Sequence, residues 1–257
     1  MAINVNTVYQ TVLLILNKEQ RGYMTPTEFN NIGTQVQLEI FEKYFEDINQ
    51  QIRIPQTDTD YADRVENIDE KIAIFKTYGD ANYVTGPPAY WTLPTTDIYG
   101  NDVADNSDTP FYRLGTVTYK NEVLVQRLDR NSFYTINKSL LTKPTKTFPA
   151  YLYENNYLYV LPTDITTAGD IQVEFIRKPI SPIWGFSVGS LGQYIYNNTP
   201  FNITTAPTGS RNFEIHVSEQ TYLIIKILLY AGIVIRDPQI VQAAAQQVQA
   251  EEINEKS

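Results

Sequence analysis

The longest apolar run of the chain lies near its C-terminal end, at residues 222–235, where Lys226 is the one charged side chain. Large apolar residues recur within this run at the spacing of a helix, at Leu223, Ile227, Tyr230 and Val234. Ser218 stands before the run as an N-cap, and Glu219 places an acidic group in the first turn. The pattern therefore predicts a buried helix over residues 219–235.

A membrane span is the rival explanation of this run. A span needs about 20 consecutive apolar residues, whereas this run is shorter and carries Lys226 near its middle. We therefore expect no membrane span. Arg236 closes the helix, and Asp237-Pro238 is typical of the N-cap and first residue of a second, polar and Gln-rich helix.

The N-terminal part of the chain shows the helical pattern three times. Apolar residues fall on one face over residues 6–21. Thr25-Pro26-Thr27-Glu28 has the sequence of a capping box with Pro at the first helical position, and it begins a long helix that should end near Ile48. Asp60 can cap a third helix that runs to Phe75.

Downstream of Gly79, which follows the third predicted helix, Pro and Gly interrupt the helical pattern and short alternating segments predict strands. The predicted strands lie at residues 90–93, 111–117, 116–120, 122–128, 151–153, 157–160 and 171–176. Asn155 and Asn156 stand between two Tyr-rich strands and suit a hairpin turn with positive φ. Residues 130–140 fit either a short helix or an irregular connection.

The order of helices, then strands, then helices predicts an α+β fold. We expect the N- and C-terminal helices to form one helical bundle, with an inserted antiparallel β-sheet or sandwich of about five or six strands. The predicted divisions are residues 1–78 for the N-terminal part of the bundle, 79–212 for the β unit with its long loops, and 213–257 for the helices that complete the bundle and carry a partner-binding arm.

One long loop, residues 181–211, is rich in Gly, Pro, Asn and Thr. It also carries aromatic residues, namely Trp184, Phe186, Tyr194, Tyr196 and Phe201. The loop is either an excursion from the β unit or a segment that becomes ordered on a partner. Loops of this length without structure of their own are uncommon in a compact monomer, so we favour a contact between subunits for these aromatic residues.

Composition narrows the function classes. The net charge of -9 argues against a general nucleic-acid binder, which normally has an excess of Lys and Arg. An acidic surface can nevertheless line a path through which DNA slides. The chain has no cysteine, which excludes disulfides, thiolate metal sites and cysteine nucleophiles. Its 19 tyrosines suit both subunit interfaces and ordinary sheets. The first residues do not have the pattern of a secretion signal.

Candidate chemistry is sparse. His216 is the single histidine, and we expect it to cap or pack rather than to catalyse. Asp97, Asp102, Asp105 and Asp108 fail the spacing of a calcium loop and suit a solvated acidic loop better. No phosphate-binding loop or catalytic motif is present in the sequence, so we predict no enzymatic activity, no metal and no cofactor.

The one candidate basic patch in the sequence combines Lys138, Lys143 and Lys146 with the later Arg177-Lys178. They form a candidate contact patch for phosphate or for an acidic neighbour. Lysines on exposed strand edges, which discourage aggregation, explain them as well.

Five further motifs stand out in the sequence, namely Met24-Thr25-Pro26-Thr27-Glu28-Phe29-Asn30, Leu141-Thr142-Lys143-Pro144-Thr145-Lys146-Thr147-Phe148-Pro149, Phe175-Ile176-Arg177-Lys178-Pro179, Phe213-Glu214-Ile215-His216-Val217-Ser218-Glu219 and Asp237-Pro238. With these motifs the chain resembles a structural protein of crAss-like phages and related tailed phages. The resemblance spans most of the chain. The order of helices, β unit and C-terminal helix is similar to that of head-tail adaptor or ring proteins of short-tailed phages.

The resemblance implies a virion structural protein that assembles in the host cytoplasm. Its copies would form a homo-oligomeric ring, expected to be a dodecamer, that is stacked below the portal protein and connects to adjacent ring or tail proteins. DNA would pass through the lumen during ejection without specific binding. Such proteins meet the portal through their C-terminal region, which implies a contact here at Pro238, Ile240, Val241, Ala244 and Val248.

Two other functions stay open at the level of sequence. The aromatic loop at residues 184–201 suggests a carbohydrate-binding or receptor-binding β module of the virion. A virion-associated glycan hydrolase is the third alternative. The terminal helices distinguish these functions, because a ring subunit uses two bundle-forming ends and a glycan-binding module has no need of them.

Overall fold

The computed structural model describes residues 2–18, 24–51, 64–97, 111–202, 204–235, 242 and 245–250. These residues form helices and mostly antiparallel sheets, which confirms the predicted α+β class. The chain divides into two compact units. The helical unit comprises Met1–Ile74 and Pro179–Ser257, and the β unit comprises Phe75–Lys178. The segment 179–212, which the sequence placed in the β unit, therefore belongs to the helical unit.

The described residues include the α-helices α1 (Val5–Lys18), α2 (Pro26–Gln51), α3 (Arg64–Ala73), α4 (Arg130–Lys138) and α5 (Gln220–Ile235). Residues 242 and 245–250 are also helical. Helix α4 lies in the β unit and the others lie in the helical unit. Within the helical unit, α2 contacts both α3 and α5, and α1 contacts α5. The central apolar residues of α5, Leu223 and Ile227, are fully buried, as its sequence predicted.

Helix α2 begins at the predicted capping box. The backbone N–H of Thr25 donates to Oε2 of Glu28 at 2.9 Å, and the N–H of Glu28 donates to Oγ1 of Thr25 at 3.3 Å. These two bonds satisfy donors that the first turn of a helix otherwise leaves without partners. The backbone and hydroxyl of Thr25 together hold the pKa of Glu28 below its ordinary value.

Helix α5 begins differently from the prediction. A single 3₁₀ turn, Val217–Glu219, precedes it, and the residue that caps this turn is His216 rather than Ser218. Nδ1 of His216 accepts the N–H of Ser218 at 3.3 Å, which agrees with the capping role expected for the single histidine. Glu219 is buried and forms an ion pair with Lys71 of α3. No helix in the described part of the chain is long and apolar enough to cross a bilayer.

The third predicted helix ends earlier than its apolar pattern indicated. Helix α3 stops at Ala73, and strand β1 (Lys76–Asp80) follows. Gly79, predicted to follow a helix end, lies within β1, where a Cβ atom would stand 2.6 Å from the carbonyl oxygen of Thr96. Close approach of another backbone segment therefore requires this glycine. The predicted cap at Asp60 lies outside the described residues.

The described β unit contains nine strands, more than the sequence predicted. They are β1, β2 (Asn82–Val84), β3 (Tyr90–Thr92), β4 (Phe111–Tyr119), β5 (Val123–Leu124), β6 (Gln126–Leu128), β7 (Ala150–Glu154), β8 (Tyr157–Leu161) and β9 (Ile171–Arg177). One sheet has the order β1-β9-β4-β5 and the other the order β2-β3-β8-β7-β6. All neighbouring strands are antiparallel except β6 and β7, which are parallel.

Both sheets of the β unit contribute to one hydrophobic core, in which Trp91 and Leu158 of one sheet join Val173 and Phe175 of the other. The unit is thus a sandwich of two sheets. Strands β7 and β8 meet in the predicted hairpin, where Asn155 and Asn156 have φ values of 56° and 62°. Asparagine tolerates this left-handed backbone better than most residues do.

The segment for which the sequence allowed either a short helix or an irregular connection forms helix α4. Asp129 caps it by accepting the N–H of Ser132 at 3.5 Å. Its buried residue, Phe133, packs against Leu152 and Leu161 of the five-stranded sheet. These two leucines alternate with the residues that face the common core, so α4 covers the opposite face of this sheet.

Candidate interaction surfaces

The segment 181–211 has a structure of its own and packs in the helical unit. Trp184, predicted as an interface residue, is buried with 5% of its surface exposed. Its indole Nε1–H donates to Oδ1 of Asn6 at 3.0 Å, and its ring lies 4.5 Å from that of Tyr9, measured between centroids. Trp184 thus fixes this segment to α1 instead of facing a partner.

Two side-chain amides of α2 bind the backbone that leads into this segment. The N–H of Trp184 donates to Oδ1 of Asn30 at 2.7 Å. Two helical turns along, the fully buried Gln37 donates through Nε2 to the carbonyl of Ile180 at 2.7 Å and accepts the N–H of Glu214 through Oε1 at 3.1 Å. Buried backbone groups that would otherwise lack partners are thereby satisfied.

The far end of the segment is a hairpin formed by strands β10 (Phe186–Val188) and β11 (Tyr194–Tyr196). Its apolar side chains reach solvent, with Leu191 at 90% exposure. We call the exposed residues the hairpin surface, and they are Val188, Leu191, Tyr194 and Ile195. No charged residue occurs between positions 181 and 200. The hairpin surface is therefore apolar and uncharged.

Of the aromatic residues predicted for a subunit contact, Tyr194 alone belongs to this surface. Phe186 and Tyr196 are half-buried and lie 6.0 Å and 5.4 Å from Trp184, measured between ring centroids. Phe201 is half-buried beneath the guanidinium of Arg211 at 4.5 Å from its ring centroid. The sequence analysis missed the aliphatic residues of the hairpin surface, although alternation on either side of the Gly-rich turn is a strand signal that could have found them.

The residues of the predicted basic patch differ in burial, so that only some of them reach solvent. Arg177 is 8% exposed, and its Nη1 donates to the carbonyl of Lys178 at 3.3 Å, while Lys178 itself is half-buried. Lys138, Lys143 and Lys146 are exposed. Nζ of Lys146 lies 3.6 Å from Oδ2 of Asp164, in an exposed pair. These three lysines are thus the part of the patch that can meet a neighbour.

Large, strongly exposed apolar side chains lie beside these lysines in the sequence, with Leu140 and Leu141 between Lys138 and Lys143, and Phe148 after Lys146. Leu140 is 102% exposed, Leu141 is 97% exposed and Phe148 is 78% exposed. We call the whole set the lysine-leucine surface, and it comprises Lys138, Leu140, Leu141, Lys143, Lys146 and Phe148. Phe148 ends a short turn in which its N–H donates to the carbonyl of Thr145 at 3.0 Å. The sequence analysis noticed the lysines and missed the apolar residues, which follow no strand or helix period.

A pocket of about 370 Å³ opens in the β unit between α4 and the five-stranded sheet. We call it the tyrosine pocket, and its lining includes Tyr83, Tyr134, Tyr159, Arg130, Asn137 and Glu154. Tyr134 is 54% exposed. Nη1 of Arg130 lies 3.7 Å from Oε2 of Glu154. Nothing in the sequence pattern brought these residues together, because they come from α4 and from the three strands β2, β7 and β8, which are separated along the chain.

A charged cluster joins α2 to α5 in the helical unit. Nζ of Lys226 lies 3.2 Å from Oε2 of Glu39, and the hydroxyl of Tyr230 donates to Oε1 of the same carboxylate. Burial disfavours the charge on Lys226, but Tyr222 and the Glu39 carboxylate outweigh it and raise the pKa of Lys226. The hydrogen bond to Glu39 is the main cause that raises the pKa of Tyr230. This cluster stabilises the contact between the two helices.

The remaining sequence candidates are only partly placed. Asp97 is buried, and the other three aspartates of the predicted acidic loop lie outside the described residues. Within the described part of the chain, no group of three or more His, Cys, Asp or Glu side chains could hold a metal. Of the predicted portal contacts, Val248 is buried, whereas Pro238, Ile240, Val241 and Ala244 lie outside the described residues.

The hairpin surface and the lysine-leucine surface lie in different units and have different chemistry, but each leaves several large apolar side chains in water. Single exposed apolar residues are common, whereas grouped ones usually mark a place where another molecule binds. The chain matches no family model, and it matches no curated protein. The function of the two surfaces must therefore be inferred from the side chains that form them.

Proposed function

We propose that the protein is a virion structural protein, a subunit of the head-tail connector or adaptor ring below the portal. In this proposal the ring encloses the DNA channel and links the capsid to the tail. The observation that supports it best is the presence of two separate groups of exposed apolar residues, one in each unit of the chain. Both groups would be covered in an assembly.

A closed ring needs this kind of subunit. Copies in a ring meet head to tail, so that one surface of each subunit contacts a different surface of its neighbour. The hairpin surface is uncharged and the lysine-leucine surface is basic. We assign both surfaces to contacts between copies of the chain. A protein that uses one patch for a two-fold dimer would need only one of them.

The helices suit the same proposal. We propose that the N- and C-terminal helices form one bundle in each subunit. The contacts of α5 with both α1 and α2, and the Glu39-Lys226 ion pair, support this arrangement. The net charge of -9 supports a lumen that repels phosphate and lets DNA pass. The contact with the portal is proposed for residues 238–257.

Electron microscopy of the purified full-length protein, alone and with the portal protein, tests the assembly. We expect rings. The double variants Leu140→Ser with Leu141→Ser, and Val188→Ser with Leu191→Ser, should each weaken assembly by at least about tenfold, because a buried leucine contributes about 1.5–3 kcal/mol. Leu124→Ser is the matched control, since Leu124 is a 66% exposed leucine outside both surfaces.

Light scattering over a range of protein concentrations gives the association constants. A wild-type protein that stays monomeric at every concentration, and that does not bind the portal, would contradict the connector proposal. Equal weakening by Leu124→Ser would show that the two surfaces have no special role. Deletion of residues 238–257 should abolish portal binding, and unchanged portal binding would place that contact elsewhere. Circular dichroism verifies that the shortened chain is folded, because the deletion also removes the buried Val248.

A further inference from the structure

We propose that the β unit binds a saccharide in the tyrosine pocket. This function goes beyond the connector role and does not depend on it. It also differs in place from the carbohydrate site that the aromatic loop at residues 184–201 suggested, because the pocket lies in the β unit and that loop lies in the helical unit.

The size and the construction of the pocket fit a small ligand. Its volume of about 370 Å³ lies near the lower end of the range of about 300–1,000 Å³ typical of ligand sites. One wall is α4, which Asp129 caps and which Phe133 packs onto Leu152 and Leu161. The opposite wall consists of paired strands β7 and β8. Both walls are thus held by packing before a ligand arrives.

The apolar part of the lining suits the face of a sugar ring. A pyranose presents a face of C–H groups and an edge of hydroxyl groups. Tyrosine offers a large apolar ring with a polar end, which matches this division. Tyr134 on α4 keeps more than half of its surface exposed, and Tyr159 on β8 is half-buried. Ring faces are therefore available beside the polar groups of the pocket.

The polar part of the lining suits hydroxyl groups, each of which both donates and accepts. Arg130 supplies donors, Glu154 supplies acceptors, and Asn137 supplies both. The separation of 3.7 Å between Arg130 and Glu154 exceeds the usual length of a hydrogen bond. The side chain of Arg130 is 67% exposed and can turn toward a ligand, while that of Glu154 keeps 36% of its surface exposed at the pocket.

The same lining disfavours other classes of ligand. Glu154 would repel an anion, and Arg130 would repel a cation, whereas a neutral ligand with many hydroxyls satisfies both groups. A proline-rich peptide also binds aromatic side chains, but it needs an extended groove rather than a pocket of this volume. A saccharide is therefore the ligand class that uses the complete lining.

Saturation-transfer NMR on the full-length protein tests this proposal. The probes are glucose, galactose, mannose, N-acetylglucosamine, lactose and cellobiose, each at millimolar concentration, with a proline decapeptide as the competing class. We expect at least one saccharide to bind. Tyr134→Ala should raise its Kd by about tenfold, the upper end of what one aromatic contact contributes, and Glu154→Gln should weaken binding without changing the size of the side chain.

The matched control is Tyr78→Ala, because Tyr78 is a 43% exposed tyrosine of β1 that does not line the pocket. This variant should bind like the wild type. Circular dichroism verifies that each variant is folded, and Glu154→Gln still decides the question if Tyr134→Ala does not fold. The proposal is overturned if no saccharide of the panel binds, if binding survives both pocket variants, or if only the decapeptide binds.

Discussion

The hairpin surface and the lysine-leucine surface both expose apolar side chains, but the structure holds them in different ways. The hairpin extends from a segment whose backbone forms hydrogen bonds with Asn30 and Gln37. The buried side chain of Trp184 packs at the base of the hairpin. The lysine-leucine surface lies at the end of α4 and on the turns that follow, where local hydrogen bonds such as those of Ser139 and Phe148, and the exposed Lys146–Asp164 pair, hold the backbone. The hairpin is supported by the core of its unit, and the lysine-leucine surface mainly by local contacts.

Because of this difference, the apolar side chains at the base of the hairpin contribute to folding, whereas those of the lysine-leucine surface can contribute to binding. Removal of apolar area from water stabilises a fold only where the area is buried. The residues at the base of the hairpin, above all Trp184, therefore contribute to the stability of the helical unit. Leu140 and Leu141 are almost fully exposed and contribute nothing comparable to the fold. Any energy that they supply must come from a contact with another molecule.

The largest effect on stability should come from Trp184→Ala. Loss of a buried tryptophan costs about 3–5 kcal/mol, and this variant also leaves Asn6 without the indole donor. Urea unfolding measures the change. Leu191→Ala, at the 90% exposed tip of the same segment, should change stability by less than about 0.5 kcal/mol. Equal effects of the two substitutions would contradict the division between a buried base and an exposed tip.

The substitution Gln37→Leu should lower the free energy of unfolding by a smaller amount. The substitution leaves the carbonyl of Ile180 and the N–H of Glu214 without their side-chain partner. An unsatisfied buried group costs about 1–3 kcal/mol, so urea unfolding should show a loss within that range. Gln35→Leu is the matched control, because Gln35 is exposed on the same helix. If both variants were equally stable, the amide of Gln37 would not be what holds this segment.

Sequence reasoning succeeded where the determining contacts are local. The capping box at Thr25 and Glu28 and the turn at Asn155 and Asn156 are both made by residues within three positions of each other. A local pattern carries all the information that such features need. The apolar pattern of α5 was equally readable, because its period follows from the helix itself.

It failed where the determining contact is distant. Gly79 was assigned to a helix end because the group that requires a glycine there, the carbonyl of Thr96, lies beyond the two intervening strands β2 and β3. Asn30 gave no sign that it would bind the backbone of Trp184, which is 154 residues away. For the same reason the segment 179–212 was assigned to the wrong unit, and the buried Arg177 was assigned to an exposed patch.

The cap of α2 predicts that the stability of the helical unit depends on pH, because the Glu28 carboxylate takes part in the cap. The same helix carries the amides that hold the hairpin segment. The pKa of Glu28 is lowered in the folded protein from its ordinary value of 4.5. The stabilisation is therefore complete above pH 4.5 and disappears as the pH falls through the lowered pKa. Glu28→Gln removes the charge but keeps a side chain that a capping box accepts, so it should cost about 0.3–1 kcal/mol at neutral pH.

Urea unfolding at neutral and at acidic pH tests the cap. The wild type and Glu28→Gln should differ at pH 7 and converge in acid. Glu42→Gln, which changes an exposed carboxylate later in the same helix, is the control for the general effect of charge. A difference between wild type and Glu28→Gln that persists unchanged in acid would show that the carboxylate charge is not responsible.

The smallest effect on stability should come from the double variant Leu140→Ser with Leu141→Ser. Because both side chains are almost fully exposed, the free energy of unfolding of the dilute, monomeric protein, measured in urea, should change by less than about 0.5 kcal/mol. Leu158→Ala provides the contrast, since this leucine is fully buried in the β unit and its truncation should cost about 2–5 kcal/mol. A loss above about 1 kcal/mol in the double variant would mean that these leucines pack within the monomer, and the lysine-leucine surface would then not be free to bind a neighbour.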